Sequence, residues 1–203
     1  MIDMMAFITH FCRSIKPYLL ALGLLLVTFP AMAEDIGVVR AKGVIAKNGQ
    51  MLVSTRFTTQ LPQPLIESLN QGVALNFRLE YQLNSPTYQA YKLKLSNLFS
   101  AHAALNYKLS YHPLTNRYKV IMGTLATDYA TLDEAIQSIG AIANWRVLSS
   151  GTLSGYRPRD VSAAVKLSLS ISDLPKPFQI NAITSSTWKL DSGWVTLNLS
   201  KEP

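Results

Sequence analysis

The fold is decided by residues 161–199, which read VSAAVKLSLSISDLPKPFQINAITSSTWKLDSGWVTLNL. Apolar and polar residues alternate over residues 165–171, which is the period-two pattern of a half-buried β-strand. The strand must end at the corner LPKPF, residues 174–178, because two prolines remove two backbone hydrogen-bond donors. We expect a short helix after this corner and a closing strand over residues 195–199.

Further alternating segments predict more strands upstream. Residues 36–46 and 51–61 flank the dipeptide Asn48-Gly49, which accepts the positive φ angles of a tight hairpin turn. A second proline corner, LPQPL at residues 61–65, follows and predicts another short helix. The remaining strands are predicted from strict alternation, at residues 73–83, 91–95, 105–111 and 117–122. Short turns between consecutive strands favour antiparallel pairing with one solvated face.

One longer helix is predicted at about 131–144. Thr131 stands at its N-cap and Glu134 follows three residues later, which together form a capping box. Apolar residues then recur at helical spacing as far as Ile142. The chain is therefore expected to be α+β and mainly β. We expect an antiparallel β-sandwich or a strongly bent sheet, with this helix and short helices after the two Pro-x-Pro corners.

The N-terminal segment has the features of a secretory signal peptide. Positive residues precede an apolar run at residues 18–29, and an A-x-A cleavage pattern ends at Ala33. A membrane anchor is the alternative, but this run of about 12 residues is shorter than the ~20 that span a bilayer. We expect cleavage between Ala33 and Glu34, which leaves residues 34–203 as a single mature domain. The chain would then be held at the membrane only by residues 1–33, and only until these residues are cleaved off.

The composition of the mature domain limits its chemistry and its partners. Cys12 lies within the predicted signal peptide, so the mature domain has no disulfide and no thiol nucleophile. The chain has a formal net charge of +7, and removal of two basic residues and one acidic residue with the signal leaves +6. This excess favours anionic partners such as phospholipid, lipopolysaccharide or an acidic protein face. Export and the absence of a nucleic-acid-binding motif argue against nucleic acid.

No catalytic, cofactor-binding or metal-binding residue set is recognisable in the sequence. The mature domain has two histidines, His102 and His112, and neither has a nearby carboxylate at the spacing of a metal site or catalytic triad. Nucleotide-binding and serine-hydrolase motifs are absent as well. We therefore expect no cofactor, no bound metal and no enzyme activity. Convergence of either histidine with Asp128 or Asp160 in one cleft would instead indicate an enzyme.

A set of cationic residues occupies the polar phase of the predicted strands: Arg78, Lys92, Lys94, Lys108, Lys119 and Lys166. If those strands are neighbours in one sheet, these side chains project from one solvated face. Such a face would suit an anionic surface. The alternative is that lysines at exposed strand positions serve to keep the sheet soluble.

Three sequence motifs together indicate a particular protein family. They are YHPLTNRY at residues 111–118, TLDEA at 131–135 leading to Trp145-Arg146-Val147, and LPKPFQINA at 174–182 followed by Trp188 and Gly193-Trp194. With them the chain resembles the exported proteobacterial family called domain of unknown function 4390, over essentially the whole mature domain. Where that family has tryptophans ahead of the strand at residues 88–95, this chain has tyrosines.

The resemblance implies a location in the envelope, but it implies no activity, cofactor or catalytic residue because none is established for the family. Members are often encoded beside a membrane sensor histidine kinase of the nitrogen-regulation type. The resemblance thus suggests a non-enzymatic periplasmic accessory protein that acts on the extracytoplasmic domain of such a kinase. Two alternatives stay open: a binding module for an anionic envelope molecule (phospholipid or lipopolysaccharide), and an enzyme whose site the sequence does not reveal.

Overall fold

The alternating segments form two β-sheets. A computed structural model describes residues 36–84 and 102–202. The strands are β1 Ile36–Ile45, β2 Met51–Thr59, β3 Leu75–Asn84, β4 His102–His112, β5 Arg117–Met122, β6 Leu125–Tyr129, β7 Ile142–Leu148, β8 Ser162–Leu169, β9 Val195–Thr196 and β10 Asn198–Lys201. The helices of more than one turn are α1 Gln63–Asn70, α2 Leu132–Ser138 and α3 Lys176–Thr184. The described part of the chain is thus α+β and mainly β, which confirms the predicted fold class.

One sheet has four strands, in the order β10-β1-β2-β7, and the other has six, in the order β6-β5-β4-β3-β8-β9. β3 lies near the middle of the six-stranded sheet, and its inward side chains Phe77, Leu79 and Tyr81 are at most 1% exposed. The Tyr81 hydroxyl donates a hydrogen bond to Met51 Sδ on β2 at 3.1 Å. The Tyr81 ring also packs edge-on against Trp145 of β7, with ring centroids 6.5 Å apart. The two sheets therefore enclose a common core.

The C-terminal segment joins the two sheets. Thr196 of β9 lies opposite Ala164 in the six-stranded sheet, and Asn198 of β10 lies opposite Lys42 in the four-stranded sheet. Leu197 between them is 4% exposed. The β1–β10 pair is parallel, unlike the antiparallel pairing that we expected throughout. It can be parallel because β10 reaches β1 from the other sheet and not through a hairpin.

Both proline corners are followed by a short helix, as predicted. α1 begins directly after Pro62, and its inward side chains Leu65 and Leu69 are fully buried. α3 begins at Lys176, between the two prolines of the second corner. In each case proline ends the extended segment, and burial of apolar residues then stabilises a helix too short to form alone.

The predicted longer helix is real but shorter than expected. Thr131 Oγ1 accepts a hydrogen bond from the Glu134 N–H (3.3 Å), whereas the Glu134 carboxylate accepts from Ala130 N–H (3.3 Å) and not from the cap residue itself. The helix ends at Ser138 and does not continue to 144. Gly140 adopts a φ of +73° there, and the chain then enters β7. Pairing of β7 with β2 outweighs the helical periodicity of the sequence.

Several predictions concern residues outside the described ranges. These include the signal peptide at residues 1–33, the strand at 91–95 and the tyrosines around it. Among residues 36–84 and 102–202, no helix is both long enough and apolar enough to cross a bilayer.

Gly140 offers a test of how tightly the core closes around the end of α2. A Cβ atom at this position would lie 2.8 Å from Phe57 Cδ2 and 2.9 Å from Leu167 Cδ2, and the positive φ adds backbone strain. Gly72 stands two residues after α1 with a φ of +89°, but a Cβ there meets nothing within 4 Å.

Gly72→Ala should lower the free energy of unfolding by about 1 kcal/mol, from backbone strain alone. Gly140→Ala should lower it by about 2–4 kcal/mol, because overpacking adds to that strain. Urea unfolding measures both, and equal losses would contradict the packing described.

Candidate functional site

Four of the six predicted cationic residues lie on the outer face of the six-stranded sheet. Arg78 on β3, Lys108 on β4, Lys119 on β5 and Lys166 on β8 occupy the polar phase of their strands, with inward-facing neighbours on either side. Lys92 and Lys94 belong to the part of the chain that is not described. The alternation therefore places these four residues on one face, but it does not determine what the face binds.

Carboxylates neutralise most of this face. Glu80 pairs with both Arg78 (Nε to Oε1, 3.4 Å) and Lys166 (Nζ to Oε2, 3.1 Å). Lys119 Nζ lies 3.7 Å from Asp128 Oδ1. The β4 lysine is the one member of the four with no ion pair to a described residue. Such exposed pairs contribute about 0–1 kcal/mol each to stability, but they cancel much of the positive potential that an anionic partner would meet.

The outer face of the four-stranded sheet carries a second set of cations, which the sequence analysis did not single out. We call Arg40, Lys42, Arg56 and Arg146 the cationic face. All four side chains are exposed, and none forms an ion pair with a residue in the described ranges. The sequences of β1, β2, β7 and β10 contain no Asp or Glu at all. The four strands that form this face therefore supply no carboxylate to neutralise it.

Cross-strand pairing concentrates the charge of the cationic face. Arg40 lies directly opposite Arg56 in the β1–β2 ladder, and Arg146 lies opposite Leu52 in the β2–β7 ladder. Directly opposed residues have Cβ atoms roughly 4.5–5.5 Å apart, and like charges so placed destabilise a sheet. Two guanidinium groups at this spacing attract an anion strongly, because a bound anion relieves their mutual repulsion.

A groove of about 480 Å³ lies where the inner side of β4, β5 and β6 meets α2. Arg56 of the cationic face also lines it. Tyr107 is the most buried side chain of the lining, at 2% exposed, and its hydroxyl makes no hydrogen bond to any described residue. Burial raises the pKa of Tyr107 to about 12, so the phenol is neutral at physiological pH. The groove thus combines apolar walls, a neutral hydroxyl and a cation.

His112 and Asp128 line one shallow depression of about 390 Å³ on the outer side of β5. They share the depression without converging, because β5 lies between their strands and the described contacts include no hydrogen bond between them. The described partner of Asp128 is Lys119. Arg157 Nε donates to Asp160 at 3.0 Å, and this hydrogen bond lowers the pKa of that carboxyl. No group of three His, Cys, Asp or Glu side chains in the described residues is placed to hold a metal ion.

The architecture and these surfaces define a two-sheet α+β domain in which the outer face of the four-stranded sheet is cationic and that of the six-stranded sheet is largely neutralised. The chain belongs to the family described as Domain of unknown function (DUF4390), whose family model matches residues 34–198. This match confirms the resemblance drawn from the three sequence motifs. No curated protein and no solved structure matches the chain.

The hydroxyl of Tyr107, which has no hydrogen-bond partner among the described residues, gives a stability test of the groove. Tyr107→Phe should leave the free energy of unfolding unchanged or raise it by up to about 1 kcal/mol, because it removes a buried polar group that makes no hydrogen bond there. Tyr81→Phe is the matched control, since its hydroxyl donates to Met51 Sδ, and this change should lower the free energy by about 0.5–1 kcal/mol. Urea unfolding of both variants measures these two changes in the free energy of unfolding. A loss for Tyr107→Phe as large as for the control would mean that the hydroxyl has a partner after all.

Proposed function

We propose that residues 34–203 form a non-enzymatic binding module of the periplasm, and that its ligand is an anionic lipid of the envelope, phospholipid or lipopolysaccharide. The module would be exported by the signal peptide at residues 1–33 and released by cleavage between Ala33 and Glu34. The observation that carries the proposal is the cationic face, which has four exposed basic side chains on strands without a single acidic residue. We propose no cofactor and no catalytic residue.

The geometry of the cationic face suits a lipid surface. Its side chains come from three adjacent strands, which lie about 4.8 Å apart, so several phosphate groups can be contacted at once. Each Lys or Arg near an anionic bilayer contributes about 1 kcal/mol to binding. Half-exposed Val44 and Leu52 lie among the cations, and Val39 next to Arg40 is 60% exposed. A surface that is both cationic and apolar matches the boundary between headgroups and acyl chains.

The face predicted from sequence on the six-stranded sheet ranks second as a lipid-binding surface. Three of its four described cations are already paired with carboxylates, so an anionic lipid would have to compete with Glu80 and Asp128. Lys92 and Lys94 stay predicted members of that face. No ion pair with a described residue competes for the cationic face, and we therefore place the lipid contact there.

Charge reversal on the two sheets should have unequal effects on binding to phosphatidylglycerol vesicles. In a co-sedimentation assay, the double variant Arg40→Glu/Arg146→Glu should bind at least roughly 30-fold more weakly than the unaltered protein, because two contacts of about 1 kcal/mol each are lost. The control is Lys108→Glu/Arg117→Glu, which changes the net charge equally but lies on the six-stranded sheet. It should retain most of the binding.

Salt must weaken the binding of the unaltered protein if the contact is electrostatic. Salt-insensitive binding, or equal losses in the two double variants, would rule out the cationic face as the lipid contact.

An accessory protein of a sensor kinase is the second candidate function, and β6 favours it. Among the described strands β6 pairs only with β5, and its five residues are exposed or half-exposed. An unpaired edge of this kind can accept a strand from another protein. The partner that the family resemblance suggests is the extracytoplasmic domain of a membrane sensor kinase.

Photo-crosslinking in intact cells separates the two candidates. A photoreactive amino acid at position 126 reports on the β6 edge, and one at position 42 reports on the cationic face. If the lipid-binding proposal is correct, position 42 should yield lipid adducts and position 126 should yield no kinase. Capture of a membrane sensor kinase from position 126, without lipid at position 42, would favour the accessory role instead.

A further inference from the structure

We infer that the groove beside α2 binds the acyl chain of a single anionic lipid, with the phosphate headgroup of that lipid held by Arg56. The inference rests on the proposed function for the choice of an anionic lipid, and it deepens that function. Surface adhesion needs only the cationic face. A groove that takes one chain would allow the domain to select or withdraw individual lipid molecules.

The groove exists because the two sheets differ in width. The six-stranded sheet extends through β5 to β6, and α2 packs against β2, β5 and β6 at this end. Leu125 on β6 lies opposite Met122 in the ladder, in the same inward phase as buried Val120. Nevertheless Leu125 is 59% exposed. An inward-facing leucine left open to solvent is apolar surface that a ligand can cover, at about 25 cal/mol per Å² buried.

The size and composition of the groove fit a single-chain amphiphile. Its volume of about 480 Å³ is within the roughly 300–1,000 Å³ typical of small-molecule sites. Val120, Met122, Leu125 and Tyr129 supply the apolar lining. The buried Tyr107 hydroxyl, which has no partner among the described residues, supplies a hydrogen-bonding group that an ester or hydroxyl of the ligand could satisfy.

Charge places the headgroup at Arg56. The first residue of β7 lies opposite Thr55 of β2. Arg56 follows Thr55 and therefore lies just beyond the stretch of β2 that β7 covers. Its guanidinium has no carboxylate partner in the described structure and can bind a phosphate through two parallel hydrogen bonds. Glu134 is the one carboxylate of the lining, and it accepts the Ala130 N–H at the start of α2. An anionic headgroup is therefore repelled from the N-terminal end of α2 and attracted to β2.

Neighbouring residues on β6 provide a matched test, because they face opposite sides of the sheet. Thr127 faces inward opposite Val120, and Ala126 faces outward opposite Ile121. Both are exposed, so each position can accept tryptophan without disturbing the core. Thr127→Trp fills the groove, whereas Ala126→Trp adds the same bulk to the outer face. The variants would be expressed with the complete N-terminal segment and purified as the cell processes them.

Binding of lysophosphatidic acid, measured by calorimetry, is the readout for the groove. Thr127→Trp should weaken binding at least roughly tenfold and Ala126→Trp should leave it unchanged. Arg56→Gln should weaken it roughly tenfold, to the level of the monoacylglycerol with the same chain, while Arg146→Gln should have little effect. The inference is overturned if Thr127→Trp binds like the unaltered protein, if inorganic phosphate binds as tightly as the lipid, or if lysophosphatidic acid does not bind.

Vesicle co-sedimentation of the same variants distinguishes failure of the inference from failure of the proposed function. Thr127→Trp should still bind phosphatidylglycerol vesicles, because it leaves the cationic face intact. Loss of lysophosphatidic acid binding together with retained vesicle binding is the expected result. Vesicle binding that persists while Thr127→Trp has no effect on lysophosphatidic acid would overturn the groove but leave the cationic face standing.

Discussion

The register of the β1–β2 hairpin is the constraint on which the rest depends. Val53, Thr55 and Phe57 are at most 3% exposed on the inner side of β2, so the residues between them must face solvent. Arg56 is one of these, and the same register sets it directly opposite Arg40. A slip of one residue between the two strands would turn one of them over and bury its arginine, and an unpaired buried charge costs several kcal/mol. Hydrophobic burial on one side thus fixes the cationic face on the other.

The unequal widths of the two sheets determine where a ligand could enter. The C-terminal segment holds the sheets together at one side, where β9 pairs with β8 and β10 pairs with β1. At the other side a helix of seven residues packs against β5 and β6. A short helix covers less area than a pair of strands would, so Leu125 of β6 stays exposed to solvent. Arg56 connects this opening to the cationic face.

Much of the fold could be predicted because period-two alternation is explicit in the sequence. Strands β3, β4 and β8, the hairpin turn at Asn48-Gly49 and both proline corners follow from local rules. The end of α2 could not be predicted, because Gly140 matters through its contact with Phe57 and Leu167, which are distant in sequence. β6 was missed because LATDY has no apolar alternation to mark it. Both failures are cases in which tertiary pairing overrides local preference.

The candidate site was less accessible to sequence analysis than the fold. Alternation placed Arg78, Lys108, Lys119 and Lys166 on one face, but it did not show that carboxylates from β3 and β6 neutralise three of them. A signal for the cationic face was present, since Arg40 and Arg56 are equidistant from the turn residue Asn48. Arg146 could not have been added, because the sequence does not show that its strand, β7, pairs with β2. Which charges are neutralised depends on which strands are neighbours, so it can be recognised only when the order of strands in the sheet is known.

Arginine-specific covalent labelling, read out by mass spectrometry with and without phosphatidylglycerol vesicles, tests the central claim most directly. The cationic face and the opposite sheet both carry exposed arginines, so one experiment compares the two surfaces. Vesicles should protect Arg40, Arg56 and Arg146 from labelling while Arg78 and Arg117 react as before. Protection of Arg78 and Arg117, with the three arginines of the four-stranded sheet still fully reactive, would contradict the account.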